Sequence, residues 1–254
     1  MKNIITIFAL ISALAFSLAR NGFAEEQGVF EARALIQSLS EVILSSEISG
    51  RIDKLPHREG DRFAKGDTLA RFDCRVYQAR LKIANAAFKA ARMSRDSVRK
   101  RSTLGSVGTL DVGLAEAGFD KAAGEVAAAK FPVDRCHIRA PFGGRIIALA
   151  AHRYETVSSG DPLMQILDDQ NLELKIVVPS LWLSWLGPET SFDILVDETG
   201  ETLSGRLTRL GALVDAVGQS IPVFGQLDKP NQKLIAGMSG SVRFRPALAQ
   251  TGKP

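Results

Sequence analysis

Two segments in the middle of the 254-residue chain have the apolar spacing of helices. From Arg75 to Leu104 there is no Gly or Pro, and apolar residues recur in alternating steps of four and three, interrupted only by Arg95. After a break at 105–109 the same spacing returns and continues to Phe131, and Pro132 should then end the helix. The two apolar stripes are Tyr77, Leu81, Ala84, Phe88, Ala91 and Val98, and then Val112, Ala115, Phe119, Ala122, Val126 and Ala129.

Sustained spacing of this kind is typical of coiled coils. The pattern therefore predicts an antiparallel coiled-coil helical hairpin over 75–133. At 1.5 Å per residue its first arm would be about 45 Å long. A compact helical subdomain is the alternative interpretation.

The segments on either side of the helices alternate short apolar stretches with Gly-Asp turns, which is typical of β-hairpins. Residues 49–72 and 143–166 match each other at one constant offset of 94 residues. Neither copy is long enough to bury a core alone, so we expect two halves, 41–74 and 134–168, to complete one β-sandwich. The matched pairs are Gly50 and Gly144, Arg51 and Arg145, Ile52 and Ile146, Leu55 and Leu149, Gly66 and Gly160, Asp67 and Asp161, and Leu69 and Leu163.

The N-terminal segment has the features of a secretory signal. Lys2 precedes an uncharged apolar run from Ile4 to Ala19, and Gly22-Phe23-Ala24 provides a small-x-small cleavage site. The run is shorter than the roughly 20 residues that a membrane span needs. We therefore predict cleavage after Ala24 and export to the periplasm, with an uncleaved anchor as the alternative.

Export makes the two cysteines a candidate disulfide, because the compartment is oxidising. Cys74 ends the first β half and Cys136 begins the second, so both should lie at the base of the hairpin. A bond between them would close a loop of about 60 residues and stabilise the fold by roughly 3–4 kcal/mol. Two buried free thiols are the alternative.

Three stretches resemble the periplasmic adaptor (membrane fusion protein) family of efflux pumps and type I secretion systems. They are Ser49 to Leu69 with its Ser-Gly-Arg-Ile and Lys-Gly-Asp-Thr-Leu motifs, Cys136 to Ile146, and Leu234 to Gly240. The resemblance implies that the sandwich is a lipoyl-like domain carrying the inserted hairpin. It also implies a small β-barrel over 25–40 and 169–246, followed by a polar tail, 247–254. Short apolar segments at 172–178, 192–196 and 241–244 agree with strands of such a barrel.

The resemblance further implies a non-enzymatic subunit that bridges an inner-membrane transporter of the RND or ABC type and an outer-membrane channel of the TolC type. Family members that dock on such channels often show a basic residue, a Leu and a Ser at the hairpin tip. Lys100 or Arg101 and Leu104 match the first two, and Thr109 is the nearest hydroxyl. The alternative is a periplasmic accessory module with the same fold that forms no conduit.

Enzymatic and cofactor chemistry finds little support among the residues. A lipoyl-like fold raises the possibility of a carrier lysine, but Lys65 lies in Ala-Lys-Gly and not in Asp-Lys-Ala or Met-Lys-Met. The three histidines lack metal-ligand spacing. Gly237 to Ser241 lacks the last glycine of a nucleophile elbow. We therefore predict no catalytic, cofactor-binding or metal-binding residue.

The two helices differ in charge. The first has nine basic residues and only Asp96 as an acid, whereas the second, from Asp111 to Phe131, has four acids and two lysines. Nucleic-acid binding is disfavoured, because the chain is exported and no aromatic residues interleave with the charges. We instead expect homo-oligomers in which the first helix of one copy packs beside the second helix of its neighbour. The residues assigned to this contact are Arg92, Arg99, Glu116 and Asp120.

Overall fold

The structure is a computed structural model and describes residues 30–229, 231 and 233–245. The predicted signal segment, residues 25–29 of the predicted barrel region and the polar tail lie outside the described residues. The described chain forms fourteen strands, two α-helices and a 3₁₀ turn. In order they are β1 (Glu31–Ser38), β2 (Glu41–Ser45), β3 (Gly50–Lys54), β4 (Arg62–Phe63), β5 (Thr68–Phe72), α1 (Arg75–Thr103), α2 (Thr109–Asp134), β6 (His137–Arg139), β7 (Gly144–Leu149), β8 (Thr156–Val157), β9 (Pro162–Leu167), β10 (Leu172–Pro179), the 3₁₀ turn (Ser180–Ser184), β11 (Ser191–Val196), β12 (Thr202–Leu210), β13 (Ser220–Leu227) and β14 (Ser239–Phe244).

The two copies of the repeat form one β-sandwich by exchanging strands. One sheet has the order β2-β9-β7-β4 and the other has the order β6-β5-β3-β8. Each sheet therefore contains two strands from the first half, 41–74, and two from the second half, 134–168. Short β4 pairs with β7 of the other copy, and short β8 pairs with β3 in the same way.

Backbone hydrogen bonds repeat this exchange at equivalent positions. The Gly60 N–H donates to the Ile146 carbonyl at 2.8 Å, and the Tyr154 N–H donates to the Ile52 carbonyl at 2.8 Å. Both isoleucines are fully buried in the shared core, as are Leu69 and its counterpart in the second copy. Because each half completes the hydrogen bonding and the core of the other, neither half forms a closed unit alone.

The repeated Gly-Asp pair makes the same turn in both copies. Gly66 and Gly160 have φ values of +89° and +97°, a conformation that glycine adopts without steric cost. The carboxylates of Asp67 and Asp161 each accept the backbone N–H of the residue three positions earlier, at 2.8 and 2.7 Å. This shared geometry explains why the pair recurs in the sequence.

The remaining strands close a six-stranded barrel in the order β1-β10-β13-β12-β11-β14. Strand β1 comes from the N-terminal side of the sandwich and closes the barrel between β10 and β14. The ring of Phe192 fills the barrel interior against Gly205 and Gly225, where a Cβ atom would overlap the ring. The prediction of a mixed α and β fold with a split sandwich and a small barrel is confirmed to this extent.

Helices α1 and α2, called the helix pair below, lie between the two halves of the sandwich. The rings of Phe88 and Phe119 are 5.0 Å apart, and Val98 and Ala122 are buried, so α2 packs along α1 through the predicted apolar stripes. The supercoil of a coiled coil stays a prediction. Within the described residues, neither helix combines the length and the hydropathy required to cross a membrane.

The prediction that Pro132 ends the second helix is wrong, because α2 continues to Asp134. A proline costs a helix its own N–H bond to the carbonyl four residues earlier, but its φ is compatible with helix. Here it stands in the last turn, where the Arg135 N–H still reaches the Phe131 carbonyl at 3.2 Å. The helix therefore ends two residues after the proline.

The equivalent glycines Gly50 and Gly144 should differ sharply in their tolerance of a side chain. A Cβ atom on Gly144 would overlap the backbone carbonyl of Leu167, whereas one on Gly50 would meet only the Phe72 ring at 3.7 Å. We expect Gly144→Ala to lower the free energy of unfolding by about 1–3 kcal/mol. We expect Gly50→Ala, the matched control, to change it by less than about 1 kcal/mol. Urea unfolding of both variants measures the difference, and equal effects would contradict the packing described here.

Candidate functional site

The tip of the helix pair is a tight turn formed by residues 104–108. Gly105 has a φ of +69°, its N–H donates to the Ser102 carbonyl at 2.9 Å, and the Ser106 N–H donates to the Arg101 carbonyl at 3.0 Å. These two bonds form a Schellman motif, which satisfies carbonyls that a helix end leaves free. The glycine therefore lets α1 end abruptly and the chain reverse.

Helix α2 begins with a cap at the other side of this turn. The Asp111 carboxylate accepts the backbone N–H of Gly108 at 3.2 Å. Gly108 has no side chain, so only this half of a capping box forms. The carboxylate in the first turn also lies where the helix dipole favours negative charge.

The predicted tip residues lie together around this turn. Lys100, Arg101 and Leu104 occupy the end of α1 and the residue after it, Thr109 is the first residue of α2, and all four are exposed. Leu104 is 79% exposed and Leu110 is 74% exposed. Leu110 was not among the predicted tip residues, although its position outside the apolar stripe of the second helix could have indicated an outward-facing leucine. The tip thus presents apolar side chains beside basic ones.

Arg95 interrupts the apolar stripe of α1 without leaving the interface between the helices. Its guanidinium carbon is 3.8 Å from the centre of the Phe119 ring, and its side chain is only 17% exposed. The same guanidinium donates to Asp96 at 2.8 Å, and this hydrogen bond holds the pKa of Asp96 below its usual range. A cation over an aromatic face is attracted by the ring quadrupole, so an arginine is tolerated at this seam position.

Three of the four charged residues assigned to lateral assembly have partners within the chain. Arg99 donates to Glu116 at 2.7 and 3.0 Å, which links α1 to α2. Arg92 lies 3.9 Å from Asp96, and Asp120 is exposed on α2. Exposed ion pairs stabilise by about 1 kcal/mol or less, so the Arg99–Glu116 pair can exchange partners at low cost.

A disulfide joins the residue before α1 to a residue just after α2, at the base of the helix pair. Cys74 and Cys136 are bonded, with Cα atoms 6.0 Å apart, and both are buried in the sandwich core. The Phe72 N–H donates to the Cys136 carbonyl at 2.9 Å, which continues the β5–β6 ladder up to the bond. The covalent link therefore lies at the last rung of the sheet before the helices begin.

Polar contacts attach both helices to the sandwich around this disulfide. The Tyr77 hydroxyl donates to the Ser49 carbonyl at 2.7 Å, and Arg135 lies 3.0 Å from the Glu47 carboxylate. Arg75 donates to both oxygens of Asp73 at 3.0 and 2.7 Å, and these bonds lower the pKa of Asp73 to about 2. Asp73 is therefore ionised near neutral pH, and the contacts restrict the angle at which the helices leave.

The junction between sandwich and barrel depends on two adjacent acids. Buried Asp168 accepts the Asn171 side-chain amide at 2.7 Å, and Asp169 accepts Arg62 at 2.8 Å and Arg145 at 3.0 Å. Burial alone would raise the pKa of Asp169, but hydrogen bonds from Gln170 and from these arginines outweigh burial and lower it. This role was not predicted from the sequence, because the arginines are distant along the chain from Asp169.

The residues considered for enzymatic chemistry occupy ordinary turns. Lys65 is exposed in the turn before Gly66, and the Gly237 N–H donates to the Ile36 carbonyl in the turn that enters β14. His152 is exposed, and its backbone N–H donates to Glu155. Across 30–229, 231 and 233–245 no group of three metal-ligating side chains comes together.

The strand-exchanged sandwich agrees with a known family model. The model for the RND MFP barrel-sandwich hybrid domain matches residues 40–169, just over half of the chain. The chain belongs to the membrane fusion protein family of periplasmic adaptors. The matched range contains both sandwich halves and the helix pair of this adaptor.

Known proteins similar to the adaptor support the fold. Nodulation protein NolF of Rhizobium meliloti (strain 1021) is 28% identical over 210 residues, which cover 77% of the chain and 57% of NolF. A putative efflux transporter from Bacteroides eggerthii has a TM-score of 0.74 at 21% identity, over 88% of this chain and 71% of that one. A MacA–MexA chimera with the Pseudomonas aeruginosa MexA alpha-hairpin domain has a TM-score of 0.72 at 17% identity, over 85% and 81%. The adaptor thus spans a little over half the length of its curated relative.

Removal of the disulfide should weaken the base of the helix pair. We expect the double variant Cys74→Ser with Cys136→Ser to lose about 3–4 kcal/mol of unfolding free energy, because a link across 62 residues restricts the unfolded chain. Urea unfolding with and without a reductant measures this loss. The variant also serves as the control for the reductant, which should destabilise only the parent chain because only that chain has a disulfide. A parent chain indifferent to the reductant would contradict the prediction.

Proposed function

We propose that this chain is a periplasmic adaptor subunit that bridges an inner-membrane transporter and an outer-membrane channel in a tripartite efflux or secretion system. The observation that supports this most directly is the helix pair, which is inserted in a family-matched sandwich and exposes leucines at its tip. On this proposal the tip contacts the channel, and the sandwich and barrel stack towards the transporter. The protein acts by contact and not by catalysis.

The length of the helix pair suits a bridging role. Helix α1 has 29 residues and spans about 43 Å at 1.5 Å per residue. The heptad stripes suggest that the pair is an antiparallel coiled coil. The tip would then keep a fixed position relative to the base. Ties at the base from the disulfide, Tyr77 and Arg135 would keep the pair from swinging on the sandwich.

The channel contact on this proposal is made by Lys100, Arg101, Leu104 and Thr109, with Leu110 added from the structure. Apolar side chains surrounded by charges are a common composition for a protein interface, in which the apolar centre contributes most of the affinity. The channel would be of the TolC type and the transporter of the RND or ABC type. The division of the chain that follows is a lipoyl-like domain in two halves, 41–74 and 134–168, the hairpin 75–133, and a barrel domain from 25–40 and 169–246.

A photoreactive amino acid in place of Thr109 tests the docking of the tip in living cells. We expect it to crosslink an outer-membrane channel, identified by mass spectrometry. A probe in place of Ala128, which is exposed on α2 about 28 Å from Thr109 along the helix, should capture the channel much less. Leu104→Asp and Leu110→Asp should reduce capture from Thr109 by about tenfold, because each removes a leucine from an apolar contact. Capture of periplasmic proteins alone would instead support an accessory module that forms no conduit.

We further propose that copies assemble side by side, with α1 of one copy next to α2 of another. The charges available to a neighbour are Arg92 on α1 and Asp120 on α2, together with the exchangeable pair of Arg99 and Glu116. A row of such contacts along the helices would steer assembly, although each is weak alone.

Charge reversal tests whether these charges hold neighbouring copies together. We expect Arg92→Glu with Arg99→Glu to shift sedimentation towards smaller species, and we expect high salt to act in the same direction. The control combines Arg99→Glu with Glu116→Arg, which restores the pair within each chain and should sediment closer to the parent. Assembly that is indifferent both to salt and to the reversal would rule out this contact.

A further inference from the structure

One end of the barrel lies away from the sandwich and is called the outer end here. Strands β1 and β10 begin their pairing beside the sandwich, where Ser38 lies opposite Leu172. At the other end of the same pair Arg33 lies opposite Val177, and the chain then passes Pro179 into the 3₁₀ turn. The outer end therefore consists of this turn, the β12–β13 loop (211–219), and the residues next to Phe30.

The outer end exposes large apolar side chains on two adjoining segments. Leu181 in the 3₁₀ turn is 81% exposed, and Leu213 and Val217 in the β12–β13 loop are 79% and 96% exposed. The Ser180 N–H donates to the Gln219 carbonyl at 2.8 Å and joins the two segments. The turn and the loop that carry the three side chains are therefore adjacent, although they are separated in the sequence, and together they are called the apolar surface here.

Charge is almost absent from this surface. Residues 176–188 contain no charged side chain, and residues 210–225 contain only Asp215. The Asp215 carboxylate turns back into its own loop and accepts the Val217 N–H at 3.0 Å. The charged residues at the edge of this surface, beside Phe30, are paired with each other, Glu31 with Arg243 and Asp193 with Arg245. The surface therefore offers little charge that could attract a partner electrostatically.

Aromatic residues lie directly behind the apolar surface. The ring of Phe30 is 5.3 Å from Trp182 and 4.6 Å from Trp185, and Trp182 also contacts Phe244 edge to face at 5.9 Å. Both tryptophans are half-buried. Indole rings with one apolar side and one wet side are favoured at the interface between membrane and water.

We propose that the outer end of the barrel is a lipid-contacting surface, which places Leu181, Leu213 and Val217 among the acyl chains near the headgroups of a bilayer. The composition of the surface favours lipid over other occupants, because exposed aliphatic side chains lie in front of two half-buried indole rings. Strand β1 begins and β14 ends at the outer end, where Glu31 lies opposite Arg243. The apolar run Ile4–Ala19 precedes Phe30 by only ten residues, which span at most about 35 Å. In the uncleaved chain, insertion of that run into a membrane would hold the outer end within reach of the membrane surface.

The chain contains a built-in reporter for this contact, since its two tryptophans, Trp182 and Trp185, both lie at the outer end. The test uses the chain from Glu25 onwards, so that the apolar run cannot itself carry the binding. Phosphatidylcholine vesicles with brominated acyl chains should quench the tryptophan fluorescence, and the protein should float with the vesicles. High salt should not reduce the binding, because the surface lacks charge.

Paired variants locate the contact. Leu213→Asp with Val217→Asp should lower the partition coefficient at least about tenfold, because two side chains no longer enter the apolar phase. The matched control is Ile83→Asp with Leu114→Asp, which removes two similarly exposed apolar side chains from the helix pair and should leave the partition unchanged. Unchanged thermal unfolding shows that both variants are folded.

Three results would overturn the proposal. The first is the absence of both flotation and quenching for the parent chain, and the second is an equal loss in the control variant. In the third, the parent chain does not bind vesicles, and the Leu213 and Val217 variant fails to pull down a membrane protein that the parent chain pulls down. That result would assign the surface to a protein partner. The proposal goes beyond the bridging role and is separable from it, since the vesicles contain no other protein.

Discussion

The exchange of strands between the two halves of the sandwich is the constraint on which the rest of the structure depends. Gly60 of the first half bonds to Ile146 of the second, and Tyr154 of the second half bonds to Ile52 of the first. Because these bonds cross between segments about ninety residues apart in the sequence, the helix pair must reverse the chain before the core can close. The buried isoleucines and leucines of both copies contribute to the same hydrophobic core, so a defect in one half is a defect in both.

The sandwich carries the helix pair and the barrel at equivalent positions of the repeat. The helix pair is inserted between β5 and β6, and the equivalent strands of the other copy, β9 and β2, lead into the barrel. Cys74 at the first junction corresponds by the same offset to Asp168 at the second. One junction is closed by a disulfide and the other by the hydrogen bonds of a buried carboxylate. Equivalent positions thus hold a long helical arm on one side and a small barrel on the other.

The two attachments differ in how they are stabilised. The barrel has its own buried core around Phe192, Ile194 and Val242 and closes its sheet completely. The helix pair buries few side chains fully and relies on a narrow seam in which Arg95 covers Phe119. Such a pair depends on its base for direction, and the disulfide, Tyr77 and Arg135 supply that support. A helix pair that is fixed at its base and exposed at its tip is suited to contact a partner with the tip.

Local patterns in the sequence were sufficient to predict the elements that depend on short-range periodicity. Heptad spacing predicted α1 and α2 to within a few residues, and the Gly-Asp repeat predicted the two sandwich halves, because period and turn chemistry are encoded in neighbouring residues. Tertiary structure alone decided that short strands cross between the halves, that Arg99 meets Glu116 within one chain, and that Asp169 gathers two distant arginines. It also brought Leu181 beside the β12–β13 loop. These contacts join residues that are separated in sequence. The local periodicity of a sequence does not indicate which distant segments will come into contact.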